Sequence, residues 1–281
     1  MFSRAEATQL PSIPPAPPAN CTARLLPLTQ TVSHPHKPPE CFAILIENAL
    51  TPAECRSLLE YATSRERWHQ ALVNEQLATG VRNSERLILD SPPLAAMLLE
   101  RVRPFLESEE AGVRVIRTRG KSKPGMRVWD GMRSHWLGTN PWRLTRLNER
   151  LRYLKYGPGQ YFRRESPPGP VTWLTLAAHC DGSYLTNDGR ERSLLTFHAY
   201  LGENSEENVG GATRFFGNND AVLADVEPVQ GRVLIFQHQW LVHSGEEMER
   251  GIKYTMRTDI MYEEAPELME EGAGEFEHYR S

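Results

Sequence analysis

The sequence predicts a mostly β, α+β fold: an antiparallel β-barrel or sandwich supported by N-terminal helices. Three observations predict it. Two helical segments come early, at 51–66 and from Pro92. After about Gly112 the pattern changes to short β-rich runs separated by Gly, Asn and Pro. No strand–helix–strand alternation appears, which argues against a Rossmann-type parallel sheet.

The chain's 281 residues suit one large domain with appendages. Its net charge of -4 argues against a nucleic-acid partner. No apolar run approaches the ~20 residues that span a bilayer, so no membrane partner is expected. The opening MFSRAEATQLPSIPPAPPAN lacks the apolar stretch of a secretory signal. Cys21, Cys41, Cys55 and Cys180 lie far apart in no metal-finger spacing and read as reduced thiols. A cytoplasmic or nuclear location is the expectation.

Residues 1–40, with PSIPPAPP and HPHKPPE, read as a disordered Pro-rich tail. CFAILIE, 41–47, reads as the first strand. TPAECRSLLEYATSRE is a helix: Thr51 can cap it, Pro52 suits the first helical position, and Glu54 completes a capping box. PPLAAMLLERVRPFL, from Pro92, has helical periodicity. The β-rich runs are LRYLKY (151–156), TWLTLAAH (172–179), SLLTFHAYLG (193–202), TRFF (213–216), AVLADV (221–226), GRVLIFQH (231–238) and KYTMRTDIMY (253–262). The domain is expected over 41–262, followed by an acidic, loosely ordered tail, 263–281. Loops at 78–90, 118–147 and 162–176 are expected to border the barrel mouth.

HCD, residues 179–181, carries a His-x-Asp pair. On a strand, period two puts His179 and Asp181 on one face, within reach of one ion. Imidazole plus carboxylate is two thirds of the facial triad that holds non-heme Fe(II). A second histidine on a neighbouring strand would complete it, and the later segment offers His238 and His243. Lys253, Thr255 and Arg257 share a face by the same period. His198 shares one with Thr196 and Tyr200, which makes it a pocket-lining residue. Trp129, Trp136 and Trp142 interleave with Arg and Lys, and packing is preferred to base stacking for them. Arg82 and Ser84 are candidates for substrate contact at the mouth.

These residues carry a resemblance. YGPGQYF, HCD, GGAT (210–213), GRVLIF, HSG and Lys253, ten residues after His243, occur in the order found in Fe(II)/2-oxoglutarate-dependent oxygenases of the prolyl 4-hydroxylase-like branch. LTPAECRSLLEYA and VRNSERLIL also resemble that family's N-terminal region. The resemblance covers about residues 41–262 and implies a double-stranded β-helix, the jelly-roll or cupin-like barrel. It implies Fe(II) ligation by His179, Asp181 and His243. It also implies 2-oxoglutarate binding by Lys253, Tyr200 and Tyr156, with Arg257 sharing the far carboxylate or meeting a charged substrate. The cofactors implied are Fe(II), 2-oxoglutarate and O2, with ascorbate as an optional reductant. The reaction implied is hydroxylation of an unactivated C–H of a peptidyl residue or small metabolite, releasing succinate and CO2. The partner would be a protein, peptide or small-molecule substrate. Two features depart from the family pattern: the insertion FRRESPPGPVTWLTLAA before His179, which would reshape the mouth, and Arg257 in place of a neutral residue. The alternative is a catalytically silent barrel that binds proteins through its Pro-rich tail.

Overall fold

The computed structural model describes residues 9–28, 41–71, 82–117, 126–128, 137–138, 140–162, 181–217, 221–238 and 241–269. The elements in chain order are β1 Thr22–Leu25, β2 Ala43–Glu47, α1 Pro52–Arg65, β3 His69–Gln70, β4 Arg82–Asn83, β5 Glu85–Asp90, α2 Pro92–Leu106, β6 Val115–Arg117 and β7 Met126–Val128. There follow β8 Trp142–Leu147, β9 Arg150–Tyr156, β10 Tyr161–Phe162, β11 Glu191–Tyr200, β12 Val209–Gly210, β13 Thr213–Phe216, β14 Val222–Val226, β15 Val233–Gln237, β16 Val242–Gly245, β17 Met248–Arg250 and β18 Lys253–Glu264.

The large sheet runs β1-β2-β15-β11-β18-β8-β6-β7, and β9 joins β18 to β5. A second sheet runs β14-β13-β16-β10-β4. From β11 onward the chain alternates between them: β11 large, β13 and β14 small, β15 large, β16 small, β18 large. That winding is a double-stranded β-helix. Between the two sheets lie Leu45, Tyr200, Phe215, Leu234 and Phe236. The other face of the large sheet packs on the helices through Ile44, Leu195, Phe197, Ile235 and Ile260 with Leu58, Leu94 and Leu98. Strands buried on both faces need no polar alternation, so β15 reads VLIFQ and is buried throughout.

α1 begins as its residues dictate. Thr51 Oγ1 accepts from the Glu54 amide at 3.2 Å, and Glu54 Oε2 accepts from the Thr51 amide at 2.7 Å. Glu54 has a second task. It pairs with buried Arg101 of α2 at 2.6 Å, and Arg101 also donates to the carbonyls of Ala49 and Pro14. One buried guanidinium therefore ties both helices to the N-terminal segment.

That segment corrects the expected boundary at residue 41. Residues 22–25 form β1, antiparallel to β2 with Leu25 opposite Ile44, and Ile13, Leu26 and Leu28 are buried. The Pro-rich flanks hide a four-residue strand whose partner lies about twenty residues on. The other boundary moves too. β18 runs to Glu264, and Glu263 pairs with Arg143 at 2.6 Å. Residues 85–90 and 142–147, expected as loop, are β5 and β8. Leu87 and Leu89 alternate into the core, and the backbone of β5 pairs with β9. No helix among the described residues is long and apolar enough to cross a membrane.

Candidate active site

β11 and β18 pair in register along the barrel, with Thr196 opposite Asp259, His198 opposite Arg257 and Tyr200 opposite Thr255. Opposite residues of an antiparallel pair share a face. The sequence TFHAY therefore sends Thr196, His198 and Tyr200 inward, and β18 sends Lys253, Thr255, Arg257 and Asp259 beside them. A bulge between Ser193 and Leu195 shifts the register, so Ser193 also faces inward, opposite Met261. There its hydroxyl accepts from the Tyr184 amide at 2.7 Å, while the Ser183 hydroxyl donates to the Ser193 carbonyl at 2.8 Å. These bonds anchor the turn that begins at Asp181.

Asp181 is buried, and His243 of β16 approaches it, Nε2 to Oδ1 3.7 Å. The Leu241 carbonyl takes a hydrogen bond from His243 Nδ1 at 3.2 Å. A carbonyl can only accept, so a proton sits on Nδ1, and in the neutral ring Nε2 carries the lone pair, the arrangement of a ligating histidine. Phe236 meets the His243 ring edge-on, centroids 4.8 Å apart, and fixes its plane. Nitrogen and oxygen donors bind a divalent metal at about 2.1 Å, so two of them can lie up to about 4 Å apart on one ion. The Asp181–His243 pair meets that test. His179 lies outside the described residues, and among the described residues no three His, Cys, Asp or Glu side chains converge on one point.

Lys253 is 5 % exposed. Its ammonium donates to the Gly211 carbonyl at 2.6 Å and lies 5.3 Å from the Tyr156 ring centre and 5.7 Å from that of Tyr200. No carboxylate of a described residue lies within ion-pair distance of it. Burial pushes its pKa down to about 8, against the distant pull of Glu227 and Glu246. A buried cation without a counter-ion costs free energy unless an anion arrives. Nearby, Thr255 Oγ1 and His198 Nε2 are buried with no hydrogen-bond partner among the described residues. Burial first, then Lys253, Arg257 and His243, hold the His198 imidazole well below its usual range, so it is neutral. This stretch of the barrel interior thus gathers a buried ammonium and two buried polar groups.

The Gly-Gly-x-Thr turn supplies the carbonyl that receives Lys253. Gly211 has φ +78°, and a Cβ there would lie 2.2 Å from Met248 Sδ and 3.2 Å from Lys253 Cδ. Only glycine lets the carbonyl of residue 211 reach Lys253. Gly211→Ala is expected to destabilise the protein by about 1–3 kcal/mol in thermal unfolding, from left-handed strain and this crowding.

The other candidates divide. The Tyr200 hydroxyl donates to Thr213 at 2.7 Å, and burial keeps it a phenol. Arg257 pairs with Asp181, Nη2 to Oδ1 2.7 Å. His238, the rival histidine, is buried with Nε2 3.7 Å from Asp259 and does not reach the Asp181–His243 pair. Ser84 is wholly buried. Arg82 contributes backbone pairing to Phe162, and its side chain lies outside the description. Trp142 is a core residue whose indole donates to the Leu137 carbonyl at 2.9 Å, while Trp129 and Trp136 lie outside the described residues. Thr196 and Thr213 were missed by sequence reasoning. Thr196 donates to Asp181 Oδ2 at 2.5 Å. Period two from Tyr200 marked its face, and Thr213 stands in the GGAT turn.

Comparison with known proteins finds a family match over part of the chain. Residues 174–258 match the 2OG-Fe(II) oxygenase superfamily, a span that contains Asp181, His243, Lys253 and Arg257. No curated protein matches the chain. Among solved structures, a viral collagen prolyl hydroxylase from Paramecium Bursaria Chlorella virus-1, in complex with 2OG, is 17% identical with a TM-score of 0.43. The alignment covers 78% of this chain and 95% of that one. A Pseudomonas putida prolyl-4-hydroxylase is 16% identical with a TM-score of 0.44, covering 78% and 91%. A Trichoplax adhaerens prolyl hydroxylase, in complex with a hypoxia inducible factor oxygen degradation domain peptide fragment, is 12% identical with a TM-score of 0.46, covering 78% and 82%.

Proposed function

We propose that this chain, a 2-oxoglutarate-dependent Fe(II) dioxygenase, hydroxylates an unactivated C–H bond of a peptidyl residue or small metabolite, with His179, Asp181 and His243 as the iron ligands. The observation that carries the reading is Lys253: a buried ammonium with no carboxylate partner among the described residues, in the same barrel interior as the Asp181–His243 pair. Iron and 2-oxoglutarate, when bound, supply oxygen activation coupled to oxidative decarboxylation, with succinate and CO2 as products. Lys253 holds the far carboxylate of the cosubstrate, beside Tyr200 and Tyr156. The neutral His198 and the Thr255 hydroxyl are available to the rest of it. Apolar residues Leu234 and Phe236 line the interior and exclude water. Nothing in the described site favours a catalytically silent barrel, since Asp181, His243 and Lys253 are all present and face one interior.

The test is anaerobic. Fe(II) and then 2-oxoglutarate are added to purified protein, and the visible metal-to-ligand charge-transfer band is recorded, with His179→Ala as control. A band absent from the variant supports the reading and justifies screening peptides and metabolites for succinate release. No band in folded, iron-loaded protein sinks it.

The lysine also sets a pH dependence. Its pKa in the free site is about 8, below the ordinary lysine value, so the cation is present below that pH and lost above it. The kcat/KM for 2-oxoglutarate is therefore expected to fall above pH about 8, approaching tenfold per unit, at saturating iron and prime substrate. A flat profile to pH 9.5 would separate Lys253 from the cosubstrate.

A further inference from the structure

We infer that Arg257 is a positioning residue for the metal-binding carboxylate, an assignment that rests on the oxygenase reading of the site. Both oxygens of Asp181 are held from β11 and β18: Oδ1 by Arg257 Nη2 at 2.7 Å, Oδ2 by the Thr196 hydroxyl at 2.5 Å. Oδ1 is also the oxygen nearest His243 Nε2, 3.7 Å away. Arg257 meets Oδ1 as an ion pair, without the alignment of a hydrogen bond, while Thr196 donates to Oδ2. The carboxylate is thereby fixed in one orientation, with Oδ1 turned toward His243.

Arg257 is poorly placed for the far end of the cosubstrate. Four strand residues separate it from Lys253, about 13 Å along β18. Its own position is fixed by a chain of alternating charge. Asp259 Oδ1 lies 3.9 Å from Arg257 Nη2, Asp259 Oδ2 lies 3.2 Å from Arg152 Nη1, and His238 Nε2 lies 3.7 Å from Asp259 Oδ1. Arg152 stands directly opposite Arg257 across β9 and β18. Like charges so placed repel, and Asp259 between them turns the repulsion into a bridge. The order Asp181, Arg257, Asp259, Arg152 alternates in sign and sums to zero, so the metal ligand is oriented without adding net charge to the interior.

The test measures metal and cosubstrate separately on the full chain. Mn(II), a redox-silent probe, is titrated by electron paramagnetic resonance without 2-oxoglutarate. The 2-oxoglutarate affinity is then measured by calorimetry at saturating Mn(II). Arg257→Gln is expected to weaken Mn(II) by about 10–100-fold, with Arg257→Lys recovering part of the loss. The 2-oxoglutarate affinity of metal-loaded variants should stay within about twofold of the parent. If Arg257→Gln does not fold, the Lys variant carries the measurement and should show a smaller loss of the same kind. Unchanged Mn(II) affinity in the folded variants overturns the inference. So does a loss confined to 2-oxoglutarate, which would return Arg257 to the cosubstrate. A parent protein that binds no Mn(II) is a different result: it removes the oxygenase reading itself, and the inference with it.

Discussion

Asp181→Ala is expected to reduce succinate production to background in a protein that still folds. The loss should exceed the roughly 10–100-fold that removing a partner of a metal ligand costs, because the ligand itself is gone. The same outcome is expected for His179→Ala. The structural cost differs from the catalytic one. Without Asp181, the Arg257 guanidinium loses its 2.7 Å contact and keeps Asp259 at 3.9 Å. Leaving a buried donor short of a partner costs about 1–3 kcal/mol, a drop in melting temperature and not a collapse. Succinate release and thermal unfolding on the same sample separate the two. Turnover retained in Asp181→Ala would end the assignment of that residue to the metal.

Lys253→Met is expected to split function from stability in the opposite direction. The variant loses the charge-assisted hydrogen bond to the cosubstrate, worth about 1.5–3 kcal/mol, so the KM for 2-oxoglutarate should rise by about 10–100-fold. The same substitution removes a buried cation that has no counter-ion among the described residues. A thioether of similar length then sits between Tyr156, Tyr200 and Met248. The ligand-free protein should therefore melt at the parent temperature or above it. A KM that does not move would detach Lys253 from 2-oxoglutarate. A large fall in melting temperature would mean that its bond to the Gly211 carbonyl is chiefly structural.

Much of this molecule was legible in its residues, and the exceptions share one cause. The α1 cap, the inward faces of β11 and β18 and the glycine turn under Lys253 are local facts. Period two or a four-residue motif is enough to see them. The β1 strand was not visible, because TARL is short and becomes a strand only through its partner β2. The Arg257–Asp181 pair was half visible. Periodicity turned Arg257 inward, but what it meets there is 76 residues away in sequence and depends on how the turn after Asp181 folds back. His238 read as a possible ligand for the same reason: its chemistry is local, and its neighbour Asp259 is not. Long-range pairing decides a side chain's task, and no window of a dozen residues contains it.

One feature of the sheet bears on how the molecule is made. β18 comes last among the described strands, yet it lies in the middle of the large sheet, between β11 on one side and β8 and β9 on the other. A polypeptide leaving the ribosome has β11 and β9 long before the strand that must fill the gap between them. Until residues 253–264 emerge, both present unpaired edges and apolar faces, the condition in which nascent β-proteins associate wrongly. Closing such distant pairings is slow. Synthesis of this chain thus includes an interval in which most of the barrel exists and cannot close, and in which protection by a chaperone would matter most.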